Sequence, residues 1–136
     1  MSRILAIDYG KKRTGIAVTD PLQIIASGLT TVDTQKLFDF LKDYLSKEPV
    51  ERIIVGMPLN LDGTDTDATP SVRHFLRRMA NEFPSMPVET VDERHTSKMA
   101  SRAMVDMGMK KKDRRNKALV DEIAAAIMLQ EYMQSR

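Results

Sequence analysis

Three acidic positions stand where regular structure is expected to end or begin. Asp8 closes the apolar run Ile4-Leu5-Ala6-Ile7, Asp92 and Glu93 close Val88-Glu89-Thr90-Val91, and Asp121 falls in the first turns of a segment starting near Asn116. A carboxylate at the end of a buried strand sits on a rigid support at the sheet rim. Gathered carboxylates oppose one another's ionisation, so a cluster of them is tolerated when cations occupy it. Ligation by oxygen alone favours Mg²⁺ or Mn²⁺ over zinc or copper. Each acid also has a plainer reading. Asp8 could be a turn residue, Glu93 could pair with Arg94, and Asp121 could be an acid favoured by the helix dipole. What separates the readings is whether the three ends meet in space.

Positive charge flanks these acids. Between Arg94 and Lys117 there are nine Lys or Arg against two Asp, a local balance of +7. The whole chain carries +2, so the remainder carries −5. This basic segment holds Arg94, Lys98, Lys110, Lys111, Lys112, Arg114 and Arg115; a second cluster, Lys11-Lys12-Arg13, follows Asp8 directly. A solvated face is one explanation, and a footprint for polyanion phosphates is the other. Phosphate contacts position a nucleic acid without reading its bases. The four Phe and three Tyr lie mostly at core-like positions, so no aromatic platform for single-strand stacking is expected. Tyr9 stays open, as core or as a substrate contact. Recognition of a structured nucleic acid by shape therefore fits better than reading of sequence. His74 and His95 are not spaced to share a metal and receive no catalytic role.

The elements that must position these groups follow from periodicity. Residues 3–9, 14–20 and 25–32 read as three strands in an antiparallel meander. Asp33 or Thr34 is expected to cap a helix running to about Ser46, with Leu37, Phe38, Leu41 and Leu45 at helical spacing. Arg52-Ile53-Ile54-Val55-Gly56 is a short apolar strand of the buried, parallel type. Pro70 and Ser71 open a second helix carrying Val72, Phe75, Leu76 and Met79, and residues 88–92 form a fifth strand. A helix from Thr96 or Ser97 to about Met107 and a last one from about Asn116 to Met133 complete the order βββαβαβαα. This is an α/β chain with a five-stranded mixed sheet and helices on both faces. Strands one, four and five should be parallel, so Asp8, Gly56 and Glu93 would share the carboxyl rim where ligands gather. On the last helix, Leu119, Ile123, Ile127 and Gln130 follow one stripe. Asp121 lies instead near Ala124, Ala125 and Met128, whose small alanines permit a close approach to the sheet. The stretch from Met57 to Thr69 is the longest irregular segment, a length that is usually functional or mobile.

Size and composition set the outer bounds. A chain of 136 residues is expected to form one domain, 1–136, with a substantial core. There is no apolar run long enough to span a bilayer and no signal-peptide pattern, so no membrane partner is expected and the cytoplasm is the default compartment. With no Cys, disulfides, thiolate metal sites and Cys nucleophiles are excluded. The ten Met read as flexible core filler.

Four stretches, in order, carry a family resemblance. They are residues 8–20, Asp8-Tyr9-Gly10-Lys11-Lys12-Arg13-Thr14-Gly15 through Asp20; residues 55–63, Val55-Gly56-Met57-Pro58 through Gly63; residues 92–97, Asp92-Glu93-Arg94-His95-Thr96-Ser97; and residues 121–130, Asp121-Glu122-Ile123-Ala124 through Gln130. With them the chain closely resembles the YqgF family, also called RuvX or Holliday junction resolvases, over nearly its whole length. The resemblance implies an RNase H-like fold related to RuvC resolvases. It implies a metal-dependent nuclease with Asp8, Glu93 and Asp121 as the acidic triad and metal ligands, using Mg²⁺ or Mn²⁺ as a pair of ions. It implies two competing substrates, the 5′ end of pre-16S rRNA and the four-way DNA junction, with ribosomal particles as partners in the first case. Departures are His95, where an aliphatic residue is more usual, and the extra acids Asp65 and Asp67, expected to weaken nucleic-acid contact in their loop. In a two-ion mechanism Asp8 would bridge both ions, and Gly10 and Gly15 would keep side chains away from the scissile phosphate. A junction resolvase would need a dimer to cut two strands symmetrically, and the sequence leaves monomer and homodimer open. Two rivals remain. An actin-like phosphotransferase shares the Asp-x-Gly opening but needs two large domains. A non-catalytic RNA-binding module of ribosome assembly would keep the acids for metal-stabilised folding.

Overall fold

Alternation of apolar residues over five short runs produces one mixed sheet. A computed structural model describes residues 1–92 and 116–136. Its elements are β1 (Arg3–Asp8), β2 (Arg13–Thr19), β3 (Ala26–Asp33), α1 (Leu37–Lys47), β4 (Val50–Met57), α2 (Thr69–Glu82), β5 (Val88–Asp92) and α3 (Lys117–Ser135). The strand order is β3-β2-β1-β4-β5. Pairing is antiparallel between β1 and β2 and between β2 and β3. It is parallel between β1 and β4 and between β4 and β5, as expected for strands one, four and five. The expected helix over 96–107 lies outside the described residues.

Side-chain direction divides the molecule into two layers. Leu5 and Ile7, Ile16 and Val18, and Ile53 and Val55 pack against Leu37, Phe38 and Leu41 of α1 and Val72, Phe75 and Met79 of α2. Ile4 and Ala6, Ala17, and Ile54 pack against Ala125, Met128 and Leu129 of α3. Both faces of β1 are therefore buried, and each aliphatic side chain fully removed from water contributes about 1.5–3 kcal/mol. On α3 the buried stripe is Ala124, Ala125, Met128 and Leu129, while Gln130 is exposed. The alanines, not the Leu119–Ile123–Ile127 row, face the sheet. Asn116 caps α3 by accepting from the Leu119 N–H at 3.3 Å.

Asp33 and Thr34 do not cap a helix with their side chains. A 3₁₀ turn over Thr34–Lys36 precedes α1 instead. The Thr34 hydroxyl donates to the Gly10 carbonyl at 2.6 Å and lies 2.9 Å from the Thr14 hydroxyl. The Thr34 N–H donates to the Lys12 carbonyl at 3.0 Å. Two residues of the basic turn are thus pinned by the end of β3.

The irregular stretch after β4 is internally braced. Leu59 and Asp65 form a short antiparallel bridge, and the turn between them passes through Gly63 at φ 88°. The buried Thr69 hydroxyl donates to the Pro58 carbonyl at 2.5 Å and accepts from the Thr66 N–H at 2.8 Å. Asp65 accepts from both terminal nitrogens of Arg73, at 2.5 and 3.0 Å. This pairing offsets one of the two extra acids expected to repel nucleic acid there.

Two carboxylates of the framework are held below the ordinary value of 3.8. Asp65 is lowered chiefly by its hydrogen bonds from Arg73. Asp20 is lowered by the Ile25 N–H and, after a smaller opposing burial effect, by the Ile24 and Leu22 N–H groups. A depressed folded-state pKa adds stability that is complete above the unfolded value and is lost as pH falls through the folded one. The melting temperature is therefore expected to drop as pH is taken below about 3.8, and the double variant Asp20→Asn with Asp65→Asn should drop less. Thermal melts from pH 7 to pH 2.5 check this; parallel curves for the two proteins would remove both residues from the acid response.

Candidate active site

Asp8 is a strand residue, not a turn residue. It pairs with Gly15 across the β1–β2 ladder. Alternation places it on the face of Ile4 and Ala6, which is the α3 side, and residues directly opposite in an antiparallel pair point to the same face. Arg13, Gly15 and Ala17 share that face on β2. Tyr9 points the other way: it belongs to the α1–α2 layer and stacks on Phe75, with ring centroids 4.7 Å apart. Its open assignment resolves to the core.

Gly15 is where α3 meets the sheet. A Cβ at this position would lie 2.1 Å from the Asp121 carbonyl oxygen and 2.5 Å from its carbonyl carbon. The backbone of Asp121 therefore rests directly on a residue that is the ladder partner of Asp8. This contact brings two acids 113 positions apart in sequence to one spot on one face. This backbone approach alone requires a glycine at position 15. Gly10 has a similar local reason, since its Cβ would lie 2.3 Å from the Arg13 carbonyl oxygen inside the basic turn.

Asp121 lies beyond the first turn of α3, which contains no acid. The helix dipole acts within the first turn, so the dipole reading of this residue fails. Its partner is Arg13, whose Nε donates to the Asp121 Oδ2 at 3.1 Å. The two side chains are 37% and 28% exposed. Sequence reasoning took Arg13 as a phosphate contact or as part of a solvated turn, and not as a partner of Asp121. The period-two alternation of Arg13, Gly15 and Ala17 carried the signal that Arg13 faces α3.

The parallel strands end at one rim. Ile7 pairs with Val55, and Val55 with Thr90, so the ends of β1, β4 and β5 are level. Asp92 ends β5 opposite Met57. Glu93 lies outside the described residues, as do Arg94, Lys98, Lys110, Lys111, Lys112, Arg114 and Arg115. Among the described residues no group of three or more His, Asp or Glu is close enough to hold a metal ion. What the described part supplies is two acids on one face of the sheet, Asp8 and Asp121, with the backbone of the second resting on the glycine that pairs with the first. That all-oxygen donor set fits a hard divalent ion. Lys11 and Lys12 are exposed at the same end of the sheet, in the turn pinned by Thr34. His74 is exposed on α2. Among the described residues no helix is long and apolar enough to cross a membrane.

A family model described as RuvX, Holliday junction resolvase, matches residues 2–135. A protein of Phocaeicola vulgatus named "Putative pre-16S rRNA nuclease" is 59% identical over 136 residues, covering 100% of this chain and 98% of its own. A Flavobacterium psychrophilum protein of the same name is 56% identical over 133 residues, covering 98% and 97%. Among solved structures, Thermus thermophilus RuvC in complex with a Holliday junction substrate aligns with a TM-score of 0.58 at 18% identity, over 100% of this chain and 96% of that one. RuvC of the same organism alone gives 0.54 at 15% identity, over 98% and 95%. At such identities the likeness speaks for the fold, and the fold is the RNase H-like one of RuvC. A motif order that runs end to end, relatives sharing more than half of all positions and a matching sheet leave one assignment, and the chain belongs to the RuvX family.

Proposed function

We propose that this chain is a divalent-metal-dependent nuclease that hydrolyses phosphodiester bonds in 5′-end maturation of pre-16S rRNA, with residues 1–136 acting as one nuclease domain. The observation that carries the chemistry is the meeting of Asp8 and Asp121 around Gly15 on one face of the sheet. Glu93, next in sequence after the last residue of β5, is proposed as the third acid. Two Mg²⁺ or Mn²⁺ ions, when bound, would activate a water and stabilise the leaving oxygen of the phosphodiester. Asp8 is the central ligand of the three, because β1 is the central strand. Asp121 comes in from α3 above it. The rRNA substrate rests on the printed names of relatives above half identity. Such a substrate implies a cytoplasmic location and encounters with ribosomal particles.

Binding is assigned to phosphate contacts from Lys11, Lys12 and Arg13, and from Arg94, Lys98, Lys110, Lys111, Lys112, Arg114 and Arg115. Each phosphate neutralised adds roughly 0.7–0.9 to the slope of log affinity against log salt. Lys111→Ala combined with Arg115→Ala should therefore weaken binding across sequences and lower that slope by about 1.5. Fluorescence anisotropy at a series of salt concentrations reads it; an unaltered slope would return the basic run to solvated surface.

A second reading, cleavage of four-way DNA junctions, is favoured by the family's own description and by the fold shared with RuvC. The deciding experiment offers the full chain pre-16S rRNA fragments and four-way junctions side by side with Mg²⁺ and Mn²⁺. Metal-dependent cleavage of the rRNA fragment supports the proposal. Preferential cleavage of junctions, together with a homodimer by sedimentation, replaces it with the resolvase reading. Binding of either substrate without cleavage under any of these conditions would leave a non-catalytic RNA-binding module of ribosome assembly.

A further inference from the structure

The Arg13–Asp121 contact raises a question that the acidic-site reading does not answer. A monodentate guanidinium at 3.1 Å occupies one oxygen of a carboxylate assigned to metal. A divalent ion and a guanidinium cannot both sit close to the same oxygen without strong repulsion, because both are cationic. The Asp121 backbone rests on the ladder partner of Asp8, and two carboxylates carried on one face so close together call for an offsetting charge.

We propose that Arg13 is the resident counter-cation of the site, holding Asp121 while the site lacks ions and being displaced from it when a divalent ion binds. The inference rests on the metal-site reading above and deepens it. Three observations carry it. Arg13 lies on the same face of β2 as Gly15, two residues away, so its side chain starts beside the point where Asp8 and Asp121 meet. It makes a single hydrogen bond through Nε rather than a two-pronged one, so one contact has to break. Both partners are partly exposed, so the displaced guanidinium can be solvated at once. The backbone at Arg13 stays fixed during the exchange: its strand is paired with Asp33 on one side, and the turn before it is pinned at Gly10 and Lys12 by Thr34. Only the side chain has to move. Arg13 is a positioning residue in this role, since it acts on the carboxylate and not on the reacting atoms.

The exchange has a thermodynamic signature independent of catalysis. Binding of an ion to the native protein includes the cost of breaking the Arg13–Asp121 pair, so Arg13→Gln should bind Mn²⁺ more tightly, by about fivefold for a partly exposed pair. Calorimetric titration of the full chain with Mn²⁺, without nucleic acid, measures this. In wild-type protein, the Arg13 Nε–H resonance should also move to the position of a solvated arginine on saturation with Mg²⁺. That spectrum is recorded on wild-type protein, and the resonance is assigned through the Arg13 side-chain spin system, so no variant has to fold. Equal or weaker Mn²⁺ affinity in Arg13→Gln, or an Nε–H resonance that stays put while Mg²⁺ binds, overturns the proposal. Controls separate it from the underlying reading. If Asp8→Asn and Asp121→Asn both lose Mn²⁺ binding while Arg13→Gln leaves it unchanged, only the exchange fails. If wild-type protein binds no Mn²⁺, both fail together.

Discussion

Asp8→Asn is expected to lower phosphodiester cleavage by about a thousandfold or more while leaving the protein folded. Metal ions contribute several kcal/mol of charge stabilisation at a phosphoryl centre, and each 1.36 kcal/mol is tenfold in rate. Asn keeps the shape of the side chain but not the charge that draws cations. Asp8 ends the central strand, whose backbone is paired on both sides, so the substitution has little structure to disturb. The melting temperature in EDTA should stay within about 3 °C of wild type, in keeping with a substitution outside the packed core. Cleavage assays with Mg²⁺ and Mn²⁺, paired with thermal melts, read both quantities. Full activity in a folded Asp8→Asn protein would end the acidic-site mechanism.

Gly15→Ala should be the most damaging single methyl group in the described part of the chain. The added carbon would stand 2.1 Å from a backbone oxygen and 3.1 Å from the Glu122 nitrogen, and neither can swing away as a side chain could. The first turns of α3 must lift off β2. Overpacking of this kind typically costs 1–3 kcal/mol and occasionally more, so we expect about 3 kcal/mol. For a chain of this length that corresponds to a melting temperature lower by about 10 °C. The lift also moves Asp121 away from Asp8, and a misplacement of about 1 Å can cost roughly a hundredfold in rate. Gly28→Ala is the matched control. Its Cβ would meet only the side chain of Glu122, at 2.6 Å from Cγ, which can rotate aside. Denaturant titrations and kcat/KM for the two variants should separate clearly; wild-type behaviour in Gly15→Ala would mean that α3 does not seat there.

What the sequence disclosed, and what it withheld, divides along physical lines. Strand positions were legible because alternation is local: the ends of all five strands lie within two residues of where periodicity puts them. The parallel trio followed from the helices between those strands. The alanine face of α3 was legible because Ala124 and Ala125 are small in an otherwise bulky helix. Pairings across long separations were not. Arg13 and Asp121 are 108 residues apart, and no local pattern couples them. Thr34 looked like a helix cap because Ser and Thr before an apolar-periodic run usually are. The Thr34 side chain is turned instead toward the Gly10 carbonyl, 24 residues upstream, to which its hydroxyl donates. The long irregular stretch after β4 suggested function or mobility by length alone. The Arg73–Asp65 fork and the buried Thr69 hydroxyl instead tie it to α2. Asp8 and Asp121 were both named from sequence, but the backbone approach at the glycine between them was not, because it joins segments more than a hundred residues apart.

The seat of α3 on β2 has one more consequence. The two acids belong to parts of the fold with unequal protection. Asp8 ends a strand that is paired on both sides, with Asp8 itself opposite Gly15 in the ladder. Asp121 rides on a helix attached by side-chain packing and by a few bonds such as Thr31 to the Ala118 carbonyl, at 2.6 Å. Partial opening follows the weaker attachment first. Undocking of α3 would part the carboxylates while the five strands stayed assembled, giving an inert form with an intact sheet.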